Sequence, residues 1–235
     1  MKITRLAISL VASLLSANLA IAVDNNQSEG KSPLFRDKPQ PSYKIESLDD
    51  QPIPRLFKDA ARKQFEDMTT RGHFEVDENE VVDVDELLSN ELARRKSSND
   101  RARAATIYRI SPSIPIGGSA HDATVLLEGP SGTQVDGGWT GINRVFNVTG
   151  LGKVYVEEFD YILSNGSGGL IKEFINADIN GNPAIYLVKT TRGGKWSSEL
   201  AWMTDNKRFF VIVSRQIKMG SPQYQTLLEF ARSLN

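Results

Sequence analysis

Cysteine is absent from the 235 residues, and histidine occurs only at His73 and His121. Without thiols there is no disulfide framework, so an exported chain of this composition must hold itself together by its core. Two histidines far apart in sequence give no zinc-ligand spacing. The chain also lacks the G-x-S-x-G elbow of an activated serine, since Ser131 and Ser167 sit in other glycine-rich contexts. The pairs Gly117-Gly118 and Gly137-Gly138 do not open a helix after a strand, which excludes the dinucleotide phosphate cradle. No fixed-period repeat is visible, and after the N-terminal stretch no apolar run is long enough to cross a bilayer. A cofactor is not called for by any of these patterns.

What is present begins with an export signal. Lys2 and Arg5 precede the apolar stretch Leu6 to Leu15, and Ala20-Ile21-Ala22 is the small-x-small pattern read by signal peptidase. Residues 1–22 are therefore expected to be removed before Val23, and a periplasmic or secreted location follows. Losing Lys2 and Arg5 leaves 26 basic residues against 29 acidic ones, a net charge of −3 with neutral histidines. Nucleic acid is not the expected partner, and stable membrane insertion is not expected either.

Residues 23–54 are mostly polar and broken by Pro33, Pro39, Pro41, Pro52 and Pro54, which predicts a flexible leader. Leu56, Ala60, Ala61, Phe65 and Met68 then fall on helical spacing. A second helix follows, with Asp83, Asp85 and Glu86 at its start and Arg94-Arg95-Lys96 at its end, in agreement with the helix dipole. Polar residues from Ser97 to Ala105 predict a linker. Residues 55–105 thus read as a helical segment and linker, and 106–235 as an α+β domain.

In that domain Ile107–Ile110 is a short strand candidate and Ala123–Leu127 a better one. Gly137–Gly141 reads as a loop, Arg144–Val148 as a strand, and Val154–Leu163 as the longest strand, with one wet face. Leu170, Ile171, Phe174 and Ile175 show helical spacing. The last quarter is the most legible: Ile185–Val188, Leu200–Met203 and Phe209–Val213 are β-branched and aromatic runs separated by turn residues, so antiparallel order is expected. Ser221 and Pro222 can start a closing helix whose Tyr224, Leu227, Leu228, Ala231 and Leu234 share one face. The fold class predicted is α+β, an antiparallel sheet packed against a C-terminal helix.

Candidate chemistry is sparse. Asn176-Ala177-Asp178-Ile179-Asn180-Gly181 has the oxygen spacing that begins a calcium loop. The twelfth position, however, is Leu187 where a bidentate Glu is needed, and Pro183 interrupts, so an Asn-Gly turn is preferred and no metal is assigned. Glu157 and Glu158, adjacent on a strand, point to opposite faces and cannot share one substrate; a solvated edge is expected there. Trp139 and Trp196 lie in glycine-rich surroundings and are the candidate binding residues, since a ring on a loop can stack on a sugar or a partner surface. The opposing expectation is that each folds over the edge of its own core, and Trp202, within a strand run, is expected in the core. Asn26, Asn147 and Asn165 begin N-x-S/T triplets that matter only in a eukaryotic secretory pathway.

Asn180-Gly181-Asn182-Pro183-Ala184, the Leu200-Ala201-Trp202 strand and the ending Leu227-Leu228-Glu229-Phe230-Ala231-Arg232-Ser233-Leu234 resemble the tail of PsbP-like α/β domains and related exported domains of unknown function. The resemblance implies an antiparallel sheet with packed helices and an accessory or binding role, and it brings no active site. The function expected is an exported, non-catalytic binding or accessory protein acting through its C-terminal domain on a protein or glycan of the cell envelope. The alternative is a periplasmic hydrolase or sugar-acting enzyme using Glu158 or Asp160 near Trp139.

Overall fold

The computed structural model describes residues 43–97, 106–115 and 123–234. The expected cleavage site at Ala22, the leader up to residue 42, the linker 98–105 and His121 lie outside those residues. The described elements are β1 (Tyr43–Glu46), α1 (Arg55–Arg71), β2 (Phe74–Val76), α2 (Val84–Ser97), β3 (Thr124–Val135), β4 (Gly138–Val148), β5 (Gly152–Asp160), β6 (Gly168–Ile171), β7 (Ala177–Ile179), β8 (Asn182–Thr191), β9 (Trp196–Met203), β10 (Lys207–Val213) and α3 (Pro222–Ser233).

The principal sheet runs β2-β8-β9-β10-β5-β4-β3, with β7 added beside the start of β8. Two meanders, β3-β4-β5 and β8-β9-β10, meet antiparallel where β10 lies against β5. Only β2 joins in parallel, through Phe74 to Val76 against Lys189 to Thr191. The α+β class holds, with a mixed sheet whose long strands are antiparallel. The strand runs read in the last quarter are present, whereas Ile107–Ile110 is no strand but only an isolated bridge from Tyr108 to Trp139, and the Val154–Leu163 run ends at Asp160, where a turn begins.

The period of two sets the layers. On one face stand Tyr186, Trp202, Phe209, Val211 and Phe146, covered by α3. The Tyr224 ring meets Tyr186 edge-on at 4.8 Å, and Phe230 meets Phe146 at 5.4 Å. Trp202 and Phe209, directly opposite in the ladder, stack at 4.6 Å with 3° between ring planes. The other face carries a second cluster in which Val84 and Leu88 of α2 pack on Leu127, Val145 and Ile212. The face of β5 expected to be wet, that of Glu158 and Asp160, is instead the inward one, where both residues are buried; the opposite face, which carries Tyr155, is partly roofed by α2, and Lys153 reaches Asp85 there.

Ser221 caps α3 as expected, its hydroxyl accepting from the Tyr224 amide at 3.2 Å, and Pro222 occupies the first turn.

Three further expectations change. Leu170 to Ile175 is not a helix: β6 ends at Ile171, and a single 3-10 turn covers Lys172–Phe174. Leu170, Ile171 and Phe174 are all buried, a pattern that strand-then-turn meets as well as a helix does. The irregular leader also ends sooner than Pro54, since Tyr43–Glu46 pairs in parallel with Gly168–Ile171 and a 3-10 turn capped by Ser47 follows. Finally, β3 continues beyond the expected stop at Gly129-Pro130 through register shifts at Val125/Leu127 and Ser131/Gln134. It is an edge strand, and the irregular register, Pro130 and the Arg95 side chain on the Glu128 carbonyl all blunt that edge against further pairing. The helical segment itself belongs to the same core, to which Ala61, Met68, Phe74 and Val76 contribute.

Leu228 is buried on α3 whereas Gln225 is exposed. Leu228→Ala should cost about 2 to 5 kcal/mol, a large share of the ~5 to 15 kcal/mol typical of a domain. Gln225→Ala should stay within about 0.5 kcal/mol. Denaturant titrations with equal midpoints would show that α3 does not dock.

Candidate functional site

The densest polar constellation lies where the sheet face under α3 meets residues 106–115. Glu158 has the same strand parity as Val154 and Val156, so its side chain turns inward and is fully buried, 0% exposed. Arg144 shares parity with Phe146 and is 4% exposed; Lys207 shares parity with Phe209. Both are diagonal neighbours of Glu158 across their ladders, a separation that long side chains span. Arg144 Nη2 donates to Glu158 Oε2 at 2.6 Å, and Lys207 Nζ to Oε1 at 2.7 Å.

Residues 106–115 cross this cluster as a strap. The Ser113 amide donates to both Glu158 oxygens, at 2.9 and 3.0 Å, and its hydroxyl donates to Oε1 at 2.8 Å. In return Arg144 Nη1 donates to the Ser113 carbonyl at 2.6 Å, and Lys207 to the Ser111 carbonyl at 2.6 Å. At the near end Trp139 exchanges backbone hydrogen bonds with Ile107 and Arg109, and Arg109 pairs with Asp136 at 2.6 Å. At the far end Pro115 bridges Leu234. The absent Cβ of Gly138 makes room for the crossing, since a side chain there would come within 2.7 Å of Arg109 Cγ.

The solvated edge expected at Glu157 and Glu158 is thus corrected for Glu158, which is the anion of a buried network. Glu157, on the opposite face, pairs with Arg208 at 2.9 Å. Burial lowers the Arg144 pKa from its ordinary value, and the charges of Glu158 and Glu128 oppose that shift. Within the set Arg144 Nε is buried without a hydrogen-bond partner, while the Glu158 oxygens and the Lys207 amine are engaged. Ser113 Oγ accepts from Lys207 Nζ at 3.3 Å, and the same nitrogen donates to Glu158 and to the Ser111 carbonyl, so every contact it makes gives a proton and none is placed to take one from the serine. Asp160, the other carboxylate considered, accepts from the Leu163 amide and the Asn206 side chain. A second buried pair, Lys189 and Glu199 at 2.6 Å, lies on the opposite face between β8 and β9.

Neither tryptophan is on a loop. Asp136 and Gly137, with φ of 46° and 78°, form a two-residue turn, so Trp139 is already in β4, half-buried and bridged in parallel by Tyr108 of the strap. Trp196 opens β9 opposite Thr190 and packs its ring edge-on to His73 at 5.1 Å. The two are not brought together. Gly141, Phe159, Arg208 and Met203 make one row across the sheet, which puts Trp139 at the Met203 end and Trp196 at the other, on opposite faces by register. Trp202 is in the core as expected. The calcium-like hexapeptide is the β7–β8 hairpin: Asn180 and Gly181 have φ of 54° and 83°, Asp178 accepts from the Gly181 amide at 2.9 Å, and Asn180 donates to the Arg232 carbonyl. Among the described residues no group of three or more His, Cys, Asp or Glu side chains is placed to hold a metal ion.

Sequence reasoning missed Arg144, Lys207 and Ser113. The parity of the strands carries the signal for the first two: each has an apolar inward-facing residue two positions away, and the sheet places opposite charges within reach. Ser113 has no such signal.

Comparison of the chain with protein-family models, curated proteins and solved structures finds no match. No described helix is long and apolar enough to cross a membrane.

Two outcomes follow from the site. Glu158→Ala leaves two cations without their buried counter-ion and should cost about 3 to 5 kcal/mol, whereas Glu157→Ala should cost clearly less; denaturant midpoints shifted equally would contradict the assignment. The Gly193 amide, donating to Glu78 Oε1 at 2.7 Å beside Trp196, together with Thr191 holds the Glu78 carboxyl below its ordinary range. A depressed carboxylate stabilises the fold above its unfolded pKa and loses that contribution as pH falls through the folded value. Wild type should therefore exceed Glu78→Gln in stability at neutral pH, with the gap closing below about pH 4. A gap that widens on acidification would reverse the sign.

Proposed function

We propose that the chain is an exported, non-catalytic binding or accessory protein that acts through the surface of its α+β domain on a protein or glycan partner in the cell envelope. One observation carries this: the carboxylates and cations best placed for chemistry are consumed by the fold itself. Glu158 is neutralised by Arg144 and Lys207 and roofed by Ser113, and Asp160 fastens the turn after β5. A glycosidase needs two carboxyl groups facing one cleft, and these point instead to hydrogen-bond partners within the sheet. The signal-peptide pattern at Ala20-Ile21-Ala22 supports the location, and the resemblance of the last quarter to PsbP-like α/β domains supports an accessory role.

The expected result is that the chain from Val23, immobilised, enriches one partner reproducibly from a periplasmic extract and turns over no member of a glycoside and ester panel. Turnover abolished by Asp160→Asn, with no partner enriched, would replace this reading with the hydrolase.

A further inference from the structure

The strap is held in an unusual way. Ile110 is 3% exposed yet belongs to neither hydrophobic cluster, while Ile107 and Ile114 are 59% and 68% exposed. Ile110 is the one buried apolar side chain of residues 106–115; backbone bonds to Trp139 hold the near end, and beyond them the side chains of the sheet act on two serines. In an extended chain the N–H and C=O of one residue point to the same side, and so does the C=O two residues away. Those are the groups engaged: the Ser113 amide by Glu158, the Ser113 carbonyl by Arg144 and the Ser111 carbonyl by Lys207. Three side chains therefore take the part that a neighbouring strand plays in a ladder. The carboxylate supplies the acceptor and the two cations supply the donors.

We infer that the end of the sheet formed by Glu158, Arg144 and Lys207 is a peptide-binding groove, filled in cis by the strap and open in trans to an extended, serine-bearing segment of a partner protein. This rests on the reading of the chain as a binding module and names the partner's chemistry. The groove does not depend on the strap for its charge balance. With the strap gone, Glu158 keeps both cations, and the donors released from the Ser111 and Ser113 carbonyls face outward with a net positive charge. An incoming segment must present two carbonyls in i, i+2 relation and, at the second of those residues, an amide and a hydroxyl. That hydroxyl is the specificity element, because a carboxylate oxygen left without it in a desolvated site loses a charge-assisted hydrogen bond. Covalent tethering gives the strap an effective concentration on the order of millimolar, so it masks the groove from weaker free peptides.

The test uses the full chain and the labelled peptide Ile107–Pro115, read by fluorescence anisotropy. In the variant Ile110→Asp/Ser113→Pro the strap loses its buried side chain, its amide donor and its hydroxyl. That variant should bind the peptide at least about tenfold more tightly than wild type, and the same peptide carrying S113A should bind it about tenfold more weakly, the factor expected from one hydrogen bond to a charged group. Equal binding by the two proteins, or by the two peptides, overturns the groove. Hydrogen exchange on wild type is independent of the variant's folding: the Arg109 and Ser113 amides should exchange faster than those of β8 to β10, and exchange of all of them at the rate of global unfolding overturns a displaceable strap. A wild-type chain that captures an envelope partner while the variant binds no peptide overturns the groove alone and leaves the binding-module reading standing.

Discussion

A carboxylate removed from water must be neutralised where it stands, and the free-energy cost of failing to do so exceeds most other single terms in a domain. Glu158 is in that position at the centre of the sheet, on the seam where the two meanders meet. Its partners come from both sides of that seam, Arg144 from β4 and Lys207 from β10, so the ion network fixes the relation of one meander to the other. A slip of β10 by one residue would turn Lys207 to the far face and leave Glu158 with Arg144 but without its second ion-pair bond. The apolar residues around it, Phe146 and Phe209 among them, would tolerate several arrangements; the charges accept one.

The same network decides what the site can do. A partly buried lysine, a serine hydroxyl and a glutamate within about hydrogen-bond distance of one another are the ingredients of acid-base chemistry, but hydrogen bonds already made are not available to a substrate. Arg144 and Lys207 divide their protons between the Glu158 carboxylate and the carbonyls of Ser113 and Ser111. The arrangement thus holds the backbone of the chain's own strap through side chains of the sheet.

Strands and the closing helix were legible because their signal is local: alternating apolar residues, Asn180-Gly181 at a tight turn, Ser221-Pro222 at a cap. Trp139 and Trp196 were misplaced because glycine neighbours suggested loops, whereas Asp136-Gly137 alone made the turn and Gly138 served the passage of another segment. Leu170 to Ile175 was ambiguous because three buried residues in six fit either a helix or a strand followed by a turn, and its pairing partner, Tyr43–Glu46, is over a hundred residues away. The strap was read as a strand at Ile107–Ile110. Its real anchors are Ser111 and Ser113, held by side chains from β4, β5 and β10, and no local pattern reports contacts of that kind.

The junction of β5 with β10 also sets an order of events during folding. Val154, Val156 and Glu158 wait beside an empty ladder position until Lys207 to Val213 arrives, by way of β6 to β9 and a crossing to the far side of the sheet. Loop closure of that span precedes its reward, which slows folding relative to the hairpins on either side. During synthesis the first meander is complete while its inner edge is still bare. That edge, rather than the blunted edge of β3, is where a chaperone would find most to shield.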